Sequence, residues 1–200
     1  MFYRVLITVV LSLSLLFAFS QKQAVNNNQY SQDLLFYPTK NIDSLLNTAT
    51  RQLQAAEQKG DELAKAKALS DIAFANKYKG QPDSAILFYK RAKSIFLAGK
   101  NDEAAEYTDI ALANIYIGQY KIDTALSYLI GVDSLSKVSK NASLQADVKW
   151  NLGLVYKNKE DYLNAARYFK MALNAVQFQK KYLEYILAGC YLSMAYRLMD

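Results

Sequence analysis

Residues 152–172 read LGLVYKNKEDYLNAARYFKMA; the same pattern stands at 112–132 (LANIYIGQYKIDTALSYLIGV) and again at 72–92 (IAFANKYKGQPDSAILFYKRA). Ile72, Leu112, Leu152 and Leu192 form one column of large apolar residues, forty apart. Beside them run the small residues Ala73, Ala113, Gly153 and Ser193, then Asn76, Tyr116, Tyr156 and Tyr196. A second register carries Ala85, Ala125 and Ala165, then Tyr89, Leu129 and Phe169, then Ala92, Val132 and Ala172. Small and large side chains held in separate, fixed columns through successive turns mark an internal repeat.

Each period contains two stretches with helical spacing. Leu112, Ile115 and Tyr116 fall at i, i+3 and i+4, as do Leu152, Val155 and Tyr156, while Ala85, Phe88, Tyr89 and Ala92 continue to i+7. Pro82 suits the first turn of a helix, and Gly80 sits in the turn before it. The spacing predicts helix pairs at 62–78 with 82–98, 102–118 with 122–138, and 142–158 with 162–178. A leading half-unit is expected at 42–58 and a trailing one at 182–198. In domain terms these are a half-unit 41–60, units 61–100, 101–140 and 141–180, and a half-unit 181–200. Loops of about three residues (Lys79-Gly80-Gln81, Gln119-Tyr120-Lys121, Lys159-Glu160-Asp161) force neighbouring helices to run antiparallel. Ala85, Ala125 and Ala165 let the two helices of a pair approach closely. No pair covers its apolar faces alone, so stability must come from stacking.

Composition agrees with an all-α chain. Seven Gly and two Pro in 200 residues leave little for hairpins or glycine-rich phosphate loops, and 52% hydrophobic residues suffice for a core. There is no histidine, which removes Ser-His-Asp and Cys-His arrangements, imidazole acid–base catalysis and histidine metal sites. Cys190 is the only cysteine, so no intramolecular disulfide or thiolate cluster forms, and it reads as a buried, inert thiol. No metal, no cofactor and no enzymatic activity are expected. Asp102, Glu103, Glu106 and Asp109 cluster on one helix and read as a solvated face. The net charge is +6, but the cations are interleaved with acids, as in Lys157-Asn158-Lys159-Glu160-Asp161, so nucleic acid is not an expected partner.

The amino terminus has the order of an export signal. Arg4 precedes a mostly apolar run from Val5 to Phe17, and Ala18-Phe19-Ser20 then puts small residues around a bulky one. This predicts a signal peptide over 1–20 with cleavage after Ser20, and a periplasmic or extracellular protein. Residues 21–40 are amide-rich and aperiodic, a polar linker. The sequon Asn141-Ala142-Ser143 matters only in a eukaryotic secretory pathway.

The third unit, Leu152-Gly153-x-x-Tyr156-x8-Ala165-x3-Phe169-x2-Ala172, closely resembles the tetratricopeptide repeat. The second is similar through Leu112, Ala113, Tyr116, Ala125 and Leu129; the first departs at Asn76, where the family usually has an aromatic. The forty-residue unit resembles the long-helix version found in MalT-like regulators and sensors. The resemblance implies a right-handed α-solenoid of antiparallel helix pairs, with a concave groove lined by the first helix of each pair. It would place Lys67, Ser70, Phe74 and Lys77 in that groove, then Tyr107, Ile110, Asn114 and Ile117, then Asp147, Trp150, Leu154 and Lys157, and finally Leu187, Cys190, Met194 and Arg197. Such a strip suits a protein or an extended peptide, with Trp150 the leading contact residue. The other reading is that Phe74, Ile110, Leu154 and Met194 only pack against neighbouring helices. A clamp for a C-terminal carboxylate is not expected, because Ile110 stands where that clamp has a lysine.

The trailing helix ends on Leu187, Leu192, Ala195 and Leu198 without a partner. It is expected to act as its own cap, to self-associate, or to lead into a further C-terminal region. Two functions follow: an exported, non-catalytic scaffold that binds a protein or peptide, or the periplasmic sensory input module of a larger membrane-bound regulator.

Overall fold

A computed structural model of the chain describes residues 41–139 and 141–176. The expected signal peptide, the linker and the trailing half-unit lie outside these residues. Among the described residues there are seven α-helices and no strand: α1 (Ile42–Lys59), α2 (Glu62–Tyr78), α3 (Pro82–Ala98), α4 (Asp102–Gly118), α5 (Ile122–Ser139), α6 (Ala142–Asn158) and α7 (Tyr162–Val176). None is long and apolar enough to cross a membrane.

One local device ends the helices. Gly60, Gly80, Lys100, Tyr120 and Glu160 all have left-handed backbone, with φ of 66°, 73°, 56°, 57° and 60°. Each left-handed residue turns the next amide back over the finished helix. Asp61, Gln81, Asn101, Lys121 and Asp161 thereby donate their N–H to the carbonyls of Ala56, Asn76, Phe96, Tyr116 and Tyr156, at 2.8–3.0 Å. This is the Schellman closure, and it satisfies carbonyls that the helix end would otherwise orphan. Only two of the five positions are glycine; at the others the side chain bears a strain of about 1 kcal/mol.

The residue after each turn starts the next helix. Asp61, Asn101 and Asn141 accept hydrogen bonds from the amides of Ala64, Ala104 and Leu144 at 2.9, 3.2 and 3.0 Å, capping α2, α4 and α6. Asp161 caps α7 through Asn164, at 3.1 Å. No side chain caps α3; it begins with Pro82, which has no N–H to satisfy. Asn141 also donates to Glu103 at 2.8 Å, so the sequon amide has partners on both sides.

Each helix packs on the next, and α4 and α6 also touch. The apolar clusters run across pairs rather than within them. Ile42 of α1, Ala73, Phe74 and Ala75 of α2, Ala85 and Tyr89 of α3, and Leu112 and Ile115 of α4 form a single buried group. A second joins α4, α5 and α6 through Ile110, Ala113, Leu129, Val132, Leu144, Val148 and Leu152. The small column is buried throughout, at Ala85, Ala125 and Ala165. The Asn76 departure is resolved locally: its amide donates to the Ile72 carbonyl at 2.8 Å. In the later pairs Tyr116 stacks on Tyr128 and Tyr156 on Tyr168, with ring centres 5.7 and 5.2 Å apart.

Gly153 shows how tightly the last pair is fitted. A Cβ there would lie 2.4 Å from Cε1 of the fully buried Phe169. Gly153→Ala is therefore expected to lower stability by about 1–3 kcal/mol through overpacking. In a Phe169→Leu background, the alanine–leucine combination already used at 113 and 129, the same change is expected to be neutral or to gain up to about 1 kcal/mol from helix propensity. Chemical denaturation of the four proteins measures the coupling.

Candidate functional site

The helix spacing puts the candidate groove residues on the first helix of each pair, and the fold sorts them into two groups. Phe74, Ile110 and Trp150 are buried, as are Ser70 and Asp147. Phe74 and Ile110 belong to the two clusters just described, so their exposed area is small and their packing is between helices. Trp150 is 8% exposed and packs against Phe169, with ring centres 5.2 Å apart. Lys77, Tyr107, Asn114, Ile117, Leu154 and Lys157 are half-buried, and Lys67 is exposed. Lys77 lies over the Tyr78 ring, 5.3 Å from its centre. Met194, Arg197, Leu187 and Cys190 lie outside the described residues.

The half-buried residues form a line. Tyr107, Asn114 and Ile117 follow one face of α4; Leu154 and Lys157 occupy the columns of Asn114 and Ile117 on α6, which touches α4. A half-buried apolar or amide side chain has a fixed base and an accessible tip, so it can add contact area to a ligand without first being ordered. The second helix of each pair carries apolar exposure that sequence reasoning did not single out: Leu87 and Leu97 on α3, Ile130, Leu135 and Val138 on α5, and Leu163 on α7. The column reading could not find it, because these positions do not repeat.

The acidic cluster on α4 is not the solvated face expected of it. Asp102 and Glu103 are exposed, but Glu106 is buried where the neighbouring pairs carry Ala66 and Ala146. Its Oε2 has no hydrogen-bond partner. Burial, followed by the nearby charges of Asp102, Glu103 and Asp109, pushes its carboxyl upward from the usual range. Asp109 is also pushed up by burial, against the opposing pull of Lys93, whose Nζ sits 2.7 and 2.8 Å from its two oxygens. Asp71 on α2 is pushed up from 3.8 to about 6 by burial. Among the described residues no three acidic or cysteine side chains gather in a way that holds a metal ion.

No protein-family model matches the chain, and no curated protein matches it either.

The raised carboxyls make stability pH-dependent with a definite sign. An acid whose folded pKa exceeds its unfolded value binds more protons when folded, so stability falls as pH rises through the window between the two. For Asp71 that window is 3.8 to about 6. Asp71→Asn is expected to raise stability above pH 6.5 by about 1–3 kcal/mol, the upper limit being the full two-unit shift and the lower allowing for its partial exposure. The gain is expected to vanish below pH 3.8. Urea midpoints measured from about pH 3 to 8 check both the size and the slope.

Proposed function

We propose that this chain is an exported, non-catalytic scaffold, built as a right-handed α-solenoid of tetratricopeptide-like helix pairs, that binds a protein or an extended peptide along its first helices. What carries the reading is the line Tyr107, Asn114, Ile117, Leu154 and Lys157, half-buried on two helices that touch. Stacking by a constant step aligns equivalent residues of successive pairs, and an extended ligand can then meet one column after another. The buried aromatics Phe74 and Trp150 act beneath that line, holding its helices in place, and a ligand reaches at most their edges. A chain without histidine lacks the commonest acid–base side chain, which supports a site that recognises rather than transforms.

Selection of peptides from a displayed library against the purified full chain tests this. For a selected peptide, Leu154→Asp is expected to weaken binding by about 2 kcal/mol, roughly thirtyfold in Kd. Ile130→Asp, on α5, is expected to leave it unchanged, and calorimetry reads both. Peptides insensitive to Leu154→Asp and sensitive to Ile130→Asp would move the site to the other face.

A further inference from the structure

The column that holds Lys93 breaks the repeat in an ordered way. Where one pair meets the next, the side chain at 53, 93 or 133 on α1, α3 or α5 faces the one sixteen residues later, at 69, 109 or 149 on α2, α4 or α6. At the first interface both are leucines: Leu53 packs against the cluster that holds Leu69, beside Phe88. At the second, the Lys93 ammonium is gripped by both oxygens of Asp109. At the third the polarity is inverted: Asp133 is the acid and Lys149 the base, with the exposed Lys137 of the same helix on the acid's other oxygen at 3.1 Å. The aromatic beyond each pair also recurs. Lys93 lies 5.8 Å from the centre of Tyr128, and Lys149 lies 5.7 Å from the centre of Tyr168, although the two lysines come from opposite sides of their interfaces.

These charges are largely withdrawn from water. The side chains of Lys149, Asp133 and Asp109 are 9%, 14% and 16% exposed, and Lys93 is 29% exposed. A buried ion pair adds little net stability, yet leaving one partner unmatched is severe, which suits such pairs to fixing a register. A chain of near-identical units has a register to fix. Its apolar columns are alike, so α3 can meet α6 in place of α4, within one chain or between two copies.

We propose that Leu53/Leu69, Lys93/Asp109 and Asp133/Lys149 form a key that admits only the native order of stacking. Every other combination of these six residues is penalised. Setting α3 on α6 opposes Lys93 to Lys149, and setting α5 on the α4 of a second copy opposes Asp133 to Asp109. Seating α1 on α4 or α6 leaves Asp109 or Lys149 against Leu53. Seating α3 or α5 on the α2 of a second copy leaves Lys93 or Asp133 against Leu69. The occupant excluded by the key is thus a second copy of this chain, stacked out of order.

The test separates polarity from stability. In the full chain, K93D/D109K restores a pair at its own interface but gives both ionic interfaces the same polarity. It is expected to keep the parent's helicity and urea midpoint. On refolding from urea at tens of micromolar, however, it is expected to give at least tenfold more dimer and higher oligomer by size-exclusion chromatography. D133K/K149D erases the distinction from the other side and is expected to give the same rise in oligomer, with a somewhat lower urea midpoint because residue 133 then repels Lys137 one turn on. The quadruple variant carrying both swaps has two opposite polarities again and is expected to refold as cleanly as the parent. Parent-like refolding of both double variants would overturn the key. So would failure of both to fold, because the key requires each pair to be reversible in place, and so would an oligomerising quadruple variant.

Discussion

Among the described residues, left-handed backbone at five positions that lie twenty or forty apart sets the geometry on which everything else here depends. At 60, 80, 100, 120 and 160 the chain leaves one helix, closes it with two successive backward amides, and starts the next helix two residues later. Because the connections are only two or three residues long and helix starts recur every twenty residues, a residue column defined in one pair recurs in the next. The forty-residue period is two such turns. Asp43 at the start of α1 meets Lys79 at the end of α2, at 2.6 Å, and Asp123 meets Lys159 in the same way, at 3.3 Å. These exposed pairs add little stability, but their recurrence shows the turn delivering one geometry twice. The intermediate position carries Gln119, whose buried Oε1 finds no partner, so the clasp is omitted there without disturbing the turn.

Given that recurrence, packing is a matter of volume. Alanine at 85, 125 and 165 brings helices close, and the large residues four positions later fill what remains. The fit is collective: a cluster that draws on α1, α2, α3 and α4 belongs to no single pair. Removing one pair would strip the faces of its neighbours, and for that reason stability in such an array is a property of interfaces more than of units. Glu106 shows the tolerance of this arrangement. It occupies a position that is alanine in the neighbouring pairs, keeps an unsatisfied oxygen and is pushed toward its protonated form, yet the helix continues through it unbroken.

The apolar part of this design was legible in the sequence. The columns beginning at Ile72 and Ala85 located the helices to within a residue or two over 42–176, because a column can persist only if the backbone repeats. The turns were half legible. Gly80 signals one, but Lys100, Tyr120 and Glu160 adopt the same left-handed backbone with no glycine at the position, and the caps Asp61, Asn101 and Asn141 carry no mark that sets them apart from other polar residues. For the candidate groove residues, the spacing was legible and the depth was not. Trp150 and Leu154 sit one helical turn apart on the same helix, yet one packs on Phe169 and the other keeps an accessible tip. That difference depends on which neighbours arrive from other helices. The inverted polarity of residues 93, 109, 133 and 149 was invisible for the same reason: each is an ordinary charged residue until the facing position is known.

Repetition sets two demands against each other. Packing by columns asks that units be alike, since only like units present matching faces at every step. Stacking in one order asks that they differ, since identical faces fit in any order. The chain separates the two demands by side-chain chemistry. Sameness resides in apolar contacts, which depend on shape and tolerate Tyr89, Leu129 and Phe169 at one place. Difference resides in the column of Lys93, where sign matters and a mismatch is penalised far more than a match is rewarded. On the proposed reading, recognition of a ligand falls to positions outside both demands. Tyr107, Asn114, Ile117, Leu154 and Lys157 are half-buried and are not held constant from pair to pair.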